Sequence, residues 1–160
     1  VDTGVSGDAF QASGTPSLGH LLAGVLGQIE DPKTGRPLSE RWREGRLKTL
    51  GSGSDYAAFI DHLGIASLDM AFSPARGMYG VYHSTFDSFA WMDTVGDPTW
   101  RYHETMAKVW GLAALRLAGA EAEGPEPLPF NFSLQADAIR GYIAEERAMR
   151  NGTASGRVDI

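Results

Sequence analysis

The chain contains no cysteine, which excludes disulfides and every thiolate metal site, so a metal bound here would need histidine and carboxylate ligands. It has no apolar run near the roughly 20 residues that a membrane-spanning helix requires. An excess of basic charge is missing too. Its 14 Lys and Arg stand against 20 Asp and Glu, a formal net charge of −6, and this argues against nucleic acid as a partner, because neutralising phosphates takes a basic surface. The densest basic stretch, residues 36–48, also carries Glu40 and Glu44 and reads as a solvated surface segment. The start lacks the charged and apolar regions of a signal peptide, and a first residue of Val rather than Met points to an excised or processed piece of a longer protein. The compartment stays open.

What is present suffices for one domain with a sizeable core: 160 residues, 42% hydrophobic and 21% charged. Thr15-Pro16 reads as a helix start, with Thr15 as N-cap and Pro16 where its missing N–H is harmless. Leu18, Leu21, Leu22, Val25 and Ile29 then recur at helical spacing. Gly19, Gly24 and Gly27 weaken that helix, so its stability must come from packing, with a sheet as the expected neighbour. Residues 46–50 fit a short strand. A helix capped by Ser54 or Asp55 follows, with Tyr56, Phe59 and Ile60 on its apolar face and His62 in its last turn, where a cation suits the dipole. Residues 65–72 read as a buried strand. Asp97-Pro98 opens the clearest helix, whose stripe is Tyr102, Met106, Val109, Trp110, Ala113 and Leu117, with His103 beside it. Residues 121–128 form a connector and 134–149 a final helix. Asn131-Phe132-Ser133 and Asn151-Gly152-Thr153 match a glycosylation pattern short enough to arise by chance.

The stretch Gly80-Val81-Tyr82-His83-Ser84-Thr85-Phe86-Asp87 places a histidine between an aromatic, strand-like run and a helix-start signal. Ser84 to Asp87 has the S-x-x-D form of a capping box. His83 would then sit at a strand-to-helix junction, a usual place for chemistry in α/β folds. Locally it reads either as a structural hydrogen-bonding residue or as a ligand. Upstream lies Leu50-Gly51-Ser52-Gly53-Ser54-Asp55-Tyr56, followed by Phe59 and Leu63-Gly64-Ile65-Ala66-Ser67. The glycine and serine run is readable as a turn and cap alone.

This ordered succession, continued by Tyr82-His83-Ser84, Asp87 and Asp97-Pro98, resembles the zinc peptidase family of glutamate carboxypeptidase, which also includes zinc aminopeptidases and the non-enzymatic transferrin receptor. The resemblance covers residues 1–145 and includes Val1-Asp2-Thr3 and Gly14-Thr15-Pro16. It implies a three-layer α/β/α fold on a mixed sheet, present here as a partial domain. Residues 1–120 would be the C-terminal part of the catalytic domain, and 121–160 a connector and the start of a truncated helical dimerisation region. It implies two zinc ions in the intact parent, with His83 a ligand of one and Asp2 of the other. Tyr82 resembles the tyrosine whose hydroxyl assists at the scissile centre, a donor aimed at developing oxyanion charge; its other reading is a core tyrosine at a strand end. Ser52, Gly53, Ser54 and Tyr79 would bind the peptide substrate.

The remaining ligands and the catalytic glutamate of that family lie upstream of the segment matched by Asp2, so the isolated chain is expected to be inactive and to hold no zinc alone. After Leu-Gly-Ile-Ala-Ser the family enzyme carries an arginine patch that favours acidic side chains, whereas Leu68-Asp69-Met70-Ala71 has no arginine. A receptor-like, non-catalytic interaction domain is the alternative. A stand-alone ligand-binding domain with a structural His83 is a third reading. The resemblance suggests a secreted or membrane-anchored parent. A sheet edge and helix faces left exposed in such a piece predict a homo-oligomer.

Overall fold

In the computed structural model the described residues are 4–42, 46–77, 79–119 and 130–155. Strand β1 (Ala9–Gly14) pairs antiparallel with β2 (Leu68–Ser73), setting Phe10 opposite Phe72 and Ala12 opposite Met70. Alternation then sends these four side chains to one face, where all are buried. The Phe10 and Phe72 rings meet edge to face at 5.5 Å.

Chain runs on both edges of this pair. The Phe72 N–H donates to the Gly4 carbonyl at 2.9 Å and its carbonyl accepts from Ser6 N at 2.7 Å, a parallel bridge at Val5. On the β1 side, Gly14 N donates to the Lys48 carbonyl at 2.9 Å and Lys48 N to that of Ala12 at 3.1 Å. The strand expected at 46–50 is therefore a single bridge residue, Lys48, and β2 begins at Leu68 rather than 65. The β1 strand itself was not foreseen. Mixed helix around a small sheet is compatible with part of an α/β domain.

Thr15 has extended backbone and makes no side-chain cap; its Oγ1 instead accepts from Ser67 N at 3.0 Å, tying β1's end to β2's start. Pro16–Leu18 forms a 3₁₀ turn leading into α1 (Gly19–Leu26). Leu21, Leu22, Val25 and Leu26 are buried, as is Ile29 beyond the helix end. The principal partner of α1 is the helix Arg101–Leu117, called α3, and the buried side chains of β1 and β2 belong to the same core cluster.

Arg36, Glu40, Arg46 and Lys48 are exposed, as expected of a solvated segment, but part of the run 38–42 packs onto the core. Leu38 and Trp42 are buried, and Arg41 Nη1 bonds Asp31 Oδ2 at 2.8 Å. Asp31 is 0% exposed and also accepts from Lys33 N and Thr34 N at 2.6 and 3.2 Å. The buried carboxylate thus has a charge partner and backbone donors, the condition under which burial of a charge is tolerated.

A helical segment with a π core, Ala58–His62, ends at Gly64, whose φ of +64° suits glycine, with Ile65 N bonded to the Phe59 carbonyl at 3.0 Å. Its apolar residues Phe59 and Leu63 stay exposed. Short helix α2 (Phe89–Trp91) runs into a π turn, Met92–Gly96.

Helix α3 (Arg101–Leu117) buries Thr105, Met106, Val109 and Ala113 against the core, while Leu117 at the end of the expected stripe is exposed. The helix starts three residues later than expected, yet Asp97 caps it: its Oδ2 accepts from Tyr102 N and His103 N, each at 3.0 Å. Helix α4 (Phe132–Ser155) is anchored by Asn131, whose Oδ1 accepts from Leu134 N at 3.1 Å and whose N–H donates to the Ser17 carbonyl at 2.7 Å. Tyr142 bonds Thr49 at 3.1 Å. The connector at 121–128 falls outside the described residues. Among the described residues no helix is long and apolar enough to cross a membrane.

Candidate functional site

Between β2 and α2 the chain makes a chain of turns over residues 80–86 rather than a strand. The S-x-x-D sequence does not cap a helix there. Ser84 Oγ donates to the Val81 carbonyl at 2.6 Å and accepts from Phe86 N at 3.2 Å, which closes a local turn. Asp87 Oδ1 accepts from the Tyr79 hydroxyl at 2.6 Å. The cap of α2 is Ser88, whose Oγ accepts from Trp91 N at 3.3 Å. A hydroxyl one residue beyond the motif thus starts the helix.

Within this turn His83 has a φ of +59°, a left-handed conformation uncommon outside glycine. Its ring stacks on that of Tyr82 with centroids 3.8 Å apart, and both side chains are exposed. Tyr79 packs edge to face on Trp91 at 5.3 Å. Burial, together with the Asp87 carboxylate beside it, pushes the Tyr79 phenol up to about 12, so it stays a neutral donor at ordinary pH.

Tyr79 and Asp87 line a cavity of about 350 Å³ with Gly4, Val5, Ser6, Met92, His103, Met106 and Trp110. His103 reaches this cavity from α3 with its Nδ1 2.9 Å from the buried Asp97. Trp110 brings an indole N–H that has no partner among the described residues. The Asp97–His103 pair and Asp87 as a phenol acceptor were missed in the sequence. The Asp97 cap was legible from Asp-Pro, and a histidine two residues inside the helix start was the available signal for its partner.

Ser52, Gly53 and Ser54 form an exposed bend, with Gly53 at a φ of +96° and open space where a Cβ would stand. Close approach of another chain is sterically open there. This bend, Tyr82 and His83 do not line the cavity around Tyr79. Asp2 lies outside the described residues.

His83 and Asp2 are donor types that suit zinc, but a zinc site takes three or four protein ligands. Among the described residues no group of three or more His, Asp or Glu converges to hold a metal ion. The described residues alone therefore do not make a zinc site.

No family model matches the chain. It is similar to curated proteins that carry peptidase names. "Probable glutamate carboxypeptidase LAMP1" of Arabidopsis thaliana is 41% identical over 142 residues, 85% of this chain and 20% of that protein. "Probable glutamate carboxypeptidase VP8" of Zea mays is 34% identical over 161 residues, 96% of this chain and 22% of that protein. "Aminopeptidase NAALADL1" of Mus musculus is 30% identical over 162 residues, 89% and 21% respectively. The chain spans about a fifth of the length of these relatives. Similarity at this level over most of the chain, in proteins from plants and an animal, agrees with the motif order around Gly53 and His83, and the chain belongs to the glutamate carboxypeptidase-like peptidase family.

Proposed function

We propose that the chain is the C-terminal part of the catalytic domain of a zinc-dependent exopeptidase with a three-layer α/β/α fold. The observation that carries this reading is the 41% identity to a relative named as a carboxypeptidase over 85% of the chain. His83 would ligate one of two zinc ions and Asp2 the other. The remaining ligands and the catalytic base would come from outside these 160 residues.

Bound zinc in such a centre supplies Lewis acidity towards the scissile carbonyl. The chain's own residues supply position. Tyr82, exposed beside His83, would donate its hydroxyl to the carbonyl oxygen as negative charge develops there. The Ser52–Gly53–Ser54 bend, open at Gly53, would accept the extended backbone of the peptide, and Tyr79 would contact the peptide from the cavity that it lines. The exposed Phe59, Leu63, Phe86 and Phe89 favour burial against further chain or a second copy, so a homo-oligomer belongs to the same proposal. The isolated chain would lack activity.

Hydrolysis assays on the complete protein test this. A set of short peptides, each offered with free and with blocked termini, should be cut only where one particular terminus is free. Chelation should abolish cleavage and added zinc restore it. Equal cleavage of peptides blocked at both ends, or full activity in a His83→Ala variant, would contradict the reading.

A further inference from the structure

The Tyr82–His83 turn is solvent-exposed, and one of its residues holds a left-handed backbone conformation. Something must fix it, because an exposed turn with few buried contacts samples many conformations. The fixing contacts are local and polar. Tyr79 Oη donates to Asp87 Oδ1 at 2.6 Å, joining the two ends of the segment across the residues between them. Inside that bracket Ser84 Oγ holds the Val81 carbonyl at 2.6 Å, and Asp87 N donates to the Ser84 carbonyl at 3.2 Å. Outside it, the Tyr79 ring rests edge-on against Trp91 of α2 at 5.3 Å. The bracket is thereby tied to a capped helix.

We propose, resting on the reading of Tyr82 and His83 above, that Asp87 is a positioning residue that acts through the Tyr79 hydroxyl to hold the Tyr82–His83 pair in its reactive orientation. Among the described residues the Asp87 carboxylate bonds Tyr79 and not Tyr82 or His83. That bond closes the bracket, and the bracket sets where the two rings stand. A charge-assisted phenol–carboxylate bond at 2.6 Å is among the stronger neutral-to-charged contacts available to a turn.

Steady-state kinetics on the complete protein test the proposal, with Tyr79→Phe, Asp87→Ala, their double variant, Asp87→Asn, and His83→Ala as control. Tyr79→Phe keeps the ring and removes only the hydroxyl. Each of Tyr79→Phe and Asp87→Ala is expected to lower kcat by about 10- to 100-fold with KM within about threefold, the scale that small misplacement of reacting groups produces. The double variant should be no worse than either single one, since both remove the same bond. Asp87→Asn, which keeps an acceptor oxygen, should stay within about threefold of the unaltered protein. Should Asp87→Ala fail to fold, Tyr79→Phe and Asp87→Asn still carry the comparison. Unchanged kcat in Tyr79→Phe, additive losses in the double variant, or a loss in KM alone would overturn the positioning role. If His83→Ala is inactive while Tyr79→Phe is unimpaired, only the positioning role fails. If His83→Ala keeps full activity, the site reading fails and takes this proposal with it.

Discussion

Asp97 offers the most sharply calculable perturbation. Its carboxylate is 2% exposed and accepts three bonds: Tyr102 N and His103 N at 3.0 Å, and His103 Nδ1 at 2.9 Å. It does so from three residues before the helix boundary, because Trp100, at the boundary itself, has a φ of +56° and supplies no side-chain cap. Asp97→Ala therefore removes the only described side-chain acceptor for those two N–H groups. Loss of a cap costs about 0.5–2 kcal/mol, and leaving the part-buried Tyr102 and His103 donors unsatisfied adds up to about 1–3 kcal/mol. We expect a net loss of about 2–4 kcal/mol, a large share of the ~5–15 kcal/mol that stabilises a typical domain. Asp97→Asn keeps one acceptor oxygen and should lose about half as much or less. Urea denaturation of both variants, followed by far-UV circular dichroism, reads the difference. Amide hydrogen exchange at Tyr102 and His103 should speed up in Asp97→Ala before the rest of α3 is affected. A loss under about 1 kcal/mol for Asp97→Ala, or equal losses for Ala and Asn, would refute the capping argument.

Two further perturbations follow from the packing and the charge state. A Cβ on Gly7 would stand 2.3 Å from Pro74 N and 2.4 Å from Ser73 C, backbone atoms that cannot swing aside; Gly7→Ala should lower stability by about 2–3 kcal/mol in the same urea assay, and a neutral effect would contradict the close approach of residues 4–7 to β2. Tyr79 has its folded-state value raised to about 12 from an ordinary 10.0, so its contribution to stability is full below pH 10 and is lost as pH rises towards 12. Tyr79→Phe should flatten the fall in stability across that window, though only in part, because burial also pushes the Tyr102 phenol up. Identical pH dependence in the two proteins would count against the Tyr79–Asp87 bond.

The long periodic elements could be read from the sequence because their stability lies in one repeated face. Helix α3 is the clearest case: Met106, Val109 and Ala113 recur at helical spacing and are buried where expected. The Leu21, Leu22 and Val25 face of α1 follows the same logic. Strand β1 escaped notice because Ala12, Ser13 and Gly14 carry little strand preference; what makes it a strand is pairing with β2, a contact 50 or more residues away in sequence. The capping box at Ser84 misled for a different reason. A hydroxyl and a carboxylate at that spacing can satisfy local turns equally well, and the Val81 carbonyl and the Tyr79 hydroxyl competed for them successfully. The basic stretch at 36–48 is solvated at Arg36, Glu40, Arg46 and Lys48, as its charges suggest, whereas Arg41's partner, Asp31, is brought to it only by the fold. The order of motifs from Gly51 to Asp97 was enough to indicate the family, whereas the roles of Asp2 and His83 depend on groups that sequence pattern alone does not bring together.

The central claim is that His83 is a zinc ligand in the complete protein. Zinc content per chain, measured by inductively coupled plasma mass spectrometry on the purified complete protein and on a folded His83→Ala variant, tests it most directly. The account predicts about two zinc ions per chain in the unaltered protein, and loss of one of them with His83, since a catalytic ion held by so few protein ligands cannot spare one. Undiminished zinc in the His83→Ala variant would contradict it.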